Sequence, residues 1–130
     1  MIFDTSVWID FLKGSRTKKA ELLESSIKDY LPVNICPPIY QEVLQGIKLD
    51  SKFEETKHFI LSLNFLYLDP FFVTDEAVNI YRGLRKKGIT IERPNDCLIA
   101  FYAIHFKLPL VHNDSDFDKI ARHTSLKIRK

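Results

Sequence analysis

The sequence predicts an α/β fold, a three-layer α/β/α sandwich around a central, mainly parallel sheet. Short apolar runs alternate with amphipathic segments along the whole chain. The strand-like runs are separated by helix-forming segments and never by hairpin turns, so the strands run parallel and the sheet is covered on both faces. At 130 residues the chain has the length of one domain, which buries about two thirds of its unfolded surface. No repeat, low-complexity tract or linker divides it, and residues 1–130 are expected to form a single domain.

The elements follow in order. Ile2-Phe3 reads as a first strand, leading directly into Asp4-Thr5-Ser6, whose side-chain oxygens can cap a helix continued by Val7, Trp8, Ile9, Phe11 and Leu12. Gly14 and Ser15 end that helix. A second helix is expected over 17–28 and a strand over 31–36. Pro37-Pro38 then open a helix, because proline is tolerated in a first turn where its missing amide has no partner. Ser51-Lys52-Phe53-Glu54 reads as a capping box for a helix with Phe53, Phe59, Ile60 and Leu63 as its apolar stripe. A strand is expected over 66–68. Thr74-Asp75-Glu76 begins the next helix, which Arg85-Lys86-Lys87-Gly88 ends with cations and a glycine. Pro94-Asn95-Asp96 starts a helix through Ala100, Ala103 and Ile104. A short strand at 109–112, a short helix over 116–121 and an edge strand over 126–128 complete the chain.

Composition removes several function classes. With 45% apolar and 28% charged residues, the chain is too hydrophobic for a disordered tail, and no run approaches the ~20 apolar residues of a membrane span. The start Met1-Ile2-Phe3-Asp4 lacks the basic stretch and long apolar run of a secretory signal, which places the protein in the cytoplasm. Cys36 and Cys97 have neither Cys-x-x-Cys spacing nor paired histidines and read as buried, reduced thiols. Nineteen Lys and Arg against seventeen Asp and Glu give a net charge of +2, too small to announce a polyanionic partner.

In a parallel α/β sheet the ligand site lies beyond the carboxyl ends of the strands. Asp4 follows the first strand; Asp114 and Asp116 follow the last full one. Glu42 lies one turn into the helix after the second strand, and Asp96 lies in the first turn of the helix before the fourth. Taken singly, each has a plainer reading. Asp4 can be a helix cap, although Thr5 or Ser6 could cap instead and free it. Glu42 can be a solvated helix residue, yet it stands between Ile39 and Val43, and Gly46 one turn later costs ~1 kcal/mol unless something approaches closely. Asp96 can be an acid placed for the helix dipole, and Asp114 and Asp116 a turn and a cap before Phe117. Brought into one cleft, these carboxylates would repel one another unless a cation joined them. The candidate ligands are all oxygens, which suits Mg²⁺ or Mn²⁺ better than zinc. A carboxylate cleft of this kind receives a phosphodiester, and hydrolysis of a nucleic-acid backbone is the reaction class it favours.

Five segments in order carry a resemblance: Ile2-Phe3-Asp4-Thr5-Ser6-Val7-Trp8-Ile9-Asp10, Glu-Val-Leu-Gln-Gly at 42 to 46, Arg-Lys-Lys-Gly-Ile-Thr-Ile at 85 to 91, Asp96-Cys97-Leu98-Ile99-Ala100, and Asn113-Asp114-Ser115-Asp116-Phe117. Together they resemble the PIN-domain ribonucleases, and most closely the VapC toxins of prokaryotic toxin–antitoxin modules. The resemblance implies a PIN fold and Mg²⁺- or Mn²⁺-dependent endoribonuclease activity, held inactive by a cognate antitoxin. It maps the family's acidic quartet onto Asp4, Glu42, Asp96 and Asp116. Asp114 stays open between a further metal ligand and a supporting residue, and Ser6 and Asn113 would position a water or a carboxylate. Homodimers are common in the family, and the two early helices with the Phe53 helix correspond to its antitoxin-binding region.

Three basic clusters, Lys13-Arg16-Lys18-Lys19, Arg82-Arg85-Lys86-Lys87 with Arg93, and Arg122-Lys127-Arg129-Lys130, are either solvated faces or a rim of phosphate contacts. Phe53, Phe59, Phe65 and Phe101 are expected in the core. Trp8 is either a core anchor or the lining of a groove for a partner helix. Two other functions compete. An aspartyl-phosphate phosphatase would need a second acid two residues after Asp4, where Ser6 stands. A non-catalytic PIN-like module that binds RNA or acts as a scaffold would not need the full acidic set.

Overall fold

A computed structural model describes residues 1–130. Strand β1 (Ile2–Phe3) is followed by helices α1 (Thr5–Lys13) and α2 (Lys18–Lys28), β2 (Asn34–Ile35), α3 (Pro37–Gln45), α4 (Asp50–Leu61) and β3 (Asn64–Phe65). Then come α5 (Pro70–Lys86), α6 (Pro94–Phe106), β4 (Leu110–Val111) and α7 (Ser115–His123). The four strands form one sheet in the order β3-β2-β1-β4, with every pairing parallel. Ile2 faces both Asn34 and Leu110, and Phe3 faces Val111.

The strand order explains the layers. From β1 the chain steps to β2 and β3 in one direction, then returns across the sheet to place β4 on the far side of β1. Crossovers between parallel strands are right-handed, so a reversal of direction moves the connecting helices to the other face. Accordingly α1 packs on α2 and α3, and α3 on α4, whereas α5 packs on α6 and both meet α7; α3 also touches α6. The same reversal makes the carboxyl ends of β1 and β4 the topological switch point, where α/β sheets bind ligands. Ile2, Phe3, Ile35, Leu110 and Val111 are fully buried between the layers, with Trp8, Leu23, Ile39, Ile60, Ile99, Phe117 and Ile120 packed from the helices.

Several expected boundaries move. The second strand shrinks from 31–36 to two residues, because the Leu31 amide still donates to Ser26 at the end of α2 and Tyr30 turns with a φ of 55°. The third strand lies at 64–65 and not at 66–68. Asn64 donates from its side chain to that of Asn34, Leu66 closes the ladder on Ile35 at 2.8 Å, and the chain then leaves the sheet to start a helix. That helix, α5, begins at Pro70, four residues before the expected Thr74. Asp69 caps it by accepting from the Phe71 and Phe72 amides, both at 3.1 Å, with proline in the first turn. Helix α4 starts at Asp50 after Leu49, so the capping box at Ser51 is not used. Helix α7 starts at Ser115, with Asp114 as its cap. The edge strand over 126–128 reduces to one parallel bridge between Ile128 and Leu110.

Two core expectations also resolve. Trp8 is completely buried, edge-on to Phe11 and Phe59, and lines no groove. Phe65 is 40% exposed and stands outside the core, on the outermost strand β3, with its ring edge-on to Tyr40. Gly46 ends α3 with an ordinary right-handed backbone, and a Cβ there would meet nothing closer than 3.7 Å. It sits outside the helix interior, which is why it carries no penalty and no close approach.

Candidate metal centre

The site is assembled at the carboxyl ends of β1 and β4 from four short pieces of chain. Asp4 leaves β1 buried, with its amide held by the Val111 carbonyl of β4 at 2.9 Å. It is itself the N-cap of α1: Oδ2 accepts from the Ser6 amide at 3.2 Å and from Ser6 Oγ at 2.7 Å. The expectation that Thr5 or Ser6 would relieve Asp4 of capping is therefore overturned. Ser6 is a donor to Asp4, and Thr5 Oγ1 donates instead to Glu42 Oε1 at 2.7 Å. Capping engages Oδ2, while the charge of Asp4 is felt by Asp96.

Asp96, Asp114 and Asp116 converge, each contributing a carboxylate oxygen within 4.8 Å of the others. Asp96 is in the first turn of α6, where Pro94 starts the helix and the dipole favours a negative charge. Asp114 caps α7, its Oδ1 accepting from the Asp116 amide at 2.9 Å. Asp116, in the first turn of α7, accepts from the Glu92 amide and from Lys119 Nζ, both at 3.1 Å. Ser6 and Asn113 link the pieces: the Asn113 amide donates to Ser6 Oγ at 3.2 Å, and its side chain donates to Asp10 Oδ2 at 3.3 Å. Below them the His112 ring contacts Asp118 at 3.1 Å and accepts the Asp114 amide at 3.0 Å, which fixes the turn into α7.

Electrostatics separate Asp96 from Asp114. Burial pushes the Asp96 carboxyl up to about 7; the negative charge of Asp4 adds to this, Arg93 opposes it, and Asp114 and Glu42 add smaller increments. Asp114 is held below the ordinary range: burial raises it, but the Asp116 amide and the Arg93 guanidinium together outweigh burial. Asp96 Oδ2 is buried and has no hydrogen-bond partner, an arrangement that costs free energy unless another group completes it. An oxygen-only donor set with one orphaned buried oxygen fits a hard divalent cation.

Of the residues expected from sequence, Asp96, Asp114 and Asp116 are brought into direct proximity. Asp4 and Glu42 are close enough for their charges to raise Asp96. Sequence reasoning missed Thr5, which holds Glu42, and Lys119, which pairs with Asp116; it placed Arg93 in a basic cluster but not in direct pairing with Asp96 and Asp114. The signals for the last two were the spacings Arg93 to Asp96 and Asp116 to Lys119, each three residues and so one helical turn. Cys36 and Cys97 are buried free thiols; burial first, and nearby carboxylates after it, push them up to about 12 and about 11.

The family model for the PIN domain matches residues 1–123. A VapC ribonuclease of Mycobacterium bovis and ribonuclease VapC11 of Mycobacterium tuberculosis are each 33% identical to this chain over 127 residues, covering 97% of it and 95% of the relative. Among solved structures, VapBC2 of Rickettsia felis, bound to a DNA fragment from its promoter, superposes with a TM-score of 0.74. It has 21% identity and covers 99% of this chain and 98% of that one. VapBC-1 of nontypeable Haemophilus influenzae gives 0.72 at 18% identity, covering 100% and 98%. The match from end to end, with the carboxylates converging at the switch point, establishes that the chain belongs to the PIN-domain family, among the VapC ribonucleases.

Proposed function

We propose that the protein is an Mg²⁺- or Mn²⁺-dependent endoribonuclease that hydrolyses RNA phosphodiester bonds as the toxin of a type II toxin–antitoxin module. The carrying observation is the orphaned, buried Asp96 Oδ2 inside a three-carboxylate cluster, in a chain one-third identical to named ribonucleases along nearly its whole length. Asp4, Asp96, Asp116 and Glu42 are the residues assigned to metal and catalysis, with Asp114 as a further ligand. When bound, the divalent ion supplies Lewis acidity, activating water and neutralising charge on the phosphoryl group.

The chain's own residues prepare the site. Ser6 and the Asn113 amide hold Asp4 against the end of β4, and Thr5 turns Glu42 toward the same end of the sheet. The Glu92 amide and Lys119 fix Asp116, so that the cluster stands on the starts of two helices and one strand end. Arg93 and Lys119 put cations beside the acids, where phosphates would bind, and Lys19 reaches the His112 carbonyl at the end of β4.

Inhibition by a cognate antitoxin is part of the same reading. A groove between α1, α3 and α4, lined by Ile9, Leu12, Val43 and Ile47 with Lys13 and Lys52 at its rim, runs up to Glu42, and an amphipathic helix fits such a groove. A homodimer and a cytoplasmic location belong to the proposal; no helix is long and apolar enough to cross a membrane.

The test is cleavage of total RNA with mapped ends. Cleavage should need Mg²⁺ or Mn²⁺, stop with EDTA, and fall at least about a hundredfold in Asp4→Asn and Asp96→Asn, the scale of losing a group that acts on the transition state. Metal-independent cleavage, or full activity in both variants, rules the reading out.

A further inference from the structure

Two cations touch the acidic cluster, and they differ in reach. Lys119 contacts Asp116 alone, from one turn further along α7. Arg93 is the N-cap residue of α6, but its side chain makes no cap bond to that helix. Its guanidinium goes to the cluster: Nη2 donates to Asp114 Oδ2, and Nε lies 3.8 Å from Asp96 Oδ2. That second distance is an ion pair without a hydrogen bond, so Asp96 Oδ2 keeps its orphaned state while the positive charge stands beside it. Arg93 thereby bridges two carboxylates carried by different helices, α6 and α7. A planar fork of donors suits that task, which the point charge of a lysine would not perform equally well. The Arg93 side chain is 62% exposed, so it can leave the cluster without disturbing the core.

We propose that Arg93 is the protein's own counter-ion for the metal-free cluster, an intramolecular competitor that a divalent cation displaces from Asp96 and Asp114. The inference rests on the cluster being the metal site. Three carboxylates within 4.8 Å repel one another when bare, and a cation between them removes that repulsion. Arg93 supplies it in the apo protein and keeps the starts of α6 and α7 together for the incoming ion. The guanidinium and the divalent ion need the same oxygens and repel each other, so binding the second releases the first. The cost is a lower affinity for metal than the carboxylates alone would give.

Calorimetric titration of Mn²⁺ into wild type, Arg93→Met, Arg93→Lys and Asp96→Asn tests this, with melting curves of each protein with and without metal. Arg93→Met should bind Mn²⁺ about tenfold more tightly than wild type, the scale of one exposed cation facing two carboxylates. It should melt below wild type when metal-free and level with it when loaded, while Arg93→Lys returns toward wild-type affinity. In wild type, the Arg93 Nε resonance should move to the position of a free guanidinium as Mg²⁺ is added. Unchanged or weaker Mn²⁺ binding in Arg93→Met, with binding in wild type and none in Asp96→Asn, overturns the inference and leaves the metal site standing. An Nε signal that ignores Mg²⁺ does the same. A wild type that binds no Mn²⁺ at all removes the metal reading and this inference together.

Discussion

Asp96 shows how one side chain can be costly for the fold and useful to the site. Its carboxyl is buried in the first turn of α6 with one oxygen unpartnered, and burial with the Asp4 charge pushes it up to about 7. The ordinary value is 3.8, so between these values the folded state binds more protons at this position than the unfolded chain. Stability therefore falls as pH rises through that window, the opposite of a paired aspartate. In metal-free protein, melting temperature should drop between pH about 4 and about 7, and Asp96→Asn, which cannot ionise, should flatten that slope. Equal slopes in the two proteins, followed by circular dichroism, would contradict the assignment. That Asp96 is acidic and opens a helix was legible in the sequence. Its orphaned oxygen was not, because that depends on what surrounds it from α7 and β1.

At the scale of elements, helix starts were the most readable feature where proline or a capping residue was followed by an apolar stripe, as at Thr17 and Pro37. They were misread where two signals competed. Asp69-Pro70 and Thr74-Asp75-Glu76 both announce a start, and the earlier one prevails because Asp69 satisfies two amides and proline already has the helical φ. Asp69→Ala should accordingly cost about 1 kcal/mol and lower Tm by a few degrees. Cleavage by the folded fraction should be unchanged, since Asp69 bonds only to Phe71 and Phe72. A loss near zero in chemical denaturation would mean that Pro70 alone sets the boundary. Strands were the least readable, because two-residue strands carry no period and their limits are set by the partner strand.

For the molecule as a whole, the net charge of +2 hides two populations. Setting aside Asp4, Glu42, Asp96 and Asp116 leaves nineteen cations against thirteen acids, an excess of +6. Arg93 and Lys119 show that some of that excess lies at the cluster itself. A protein using several such cations on phosphates should lose RNA affinity steeply with salt: for four phosphate contacts on a single strand, roughly fiftyfold between about 50 and 200 mM. Fluorescence anisotropy with a labelled oligoribonucleotide and Asp96→Asn protein measures this without cleavage, and a flat salt profile would deny the basic rim.

The sequence by itself determined the parallel α/β class, the positions of the acids relative to strand ends and helix starts, and their oxygen-only chemistry, because these follow from local pattern and side-chain type. Tertiary structure decided which acids meet. The succession α6-β4-α7 sets the start of α7 beside the start of α6, which joins Asp114 and Asp116 to Asp96 and lays Arg93 across two helices, and the pairing of β4 with β1 brings the charge of Asp4 to bear on Asp96. The meetings of Asp114 and Asp116 with Asp96, of Arg93 with Asp114, and of Asp4 with Asp96 join residues about twenty to ninety apart in the chain, and only the packing of helices and strands specifies them.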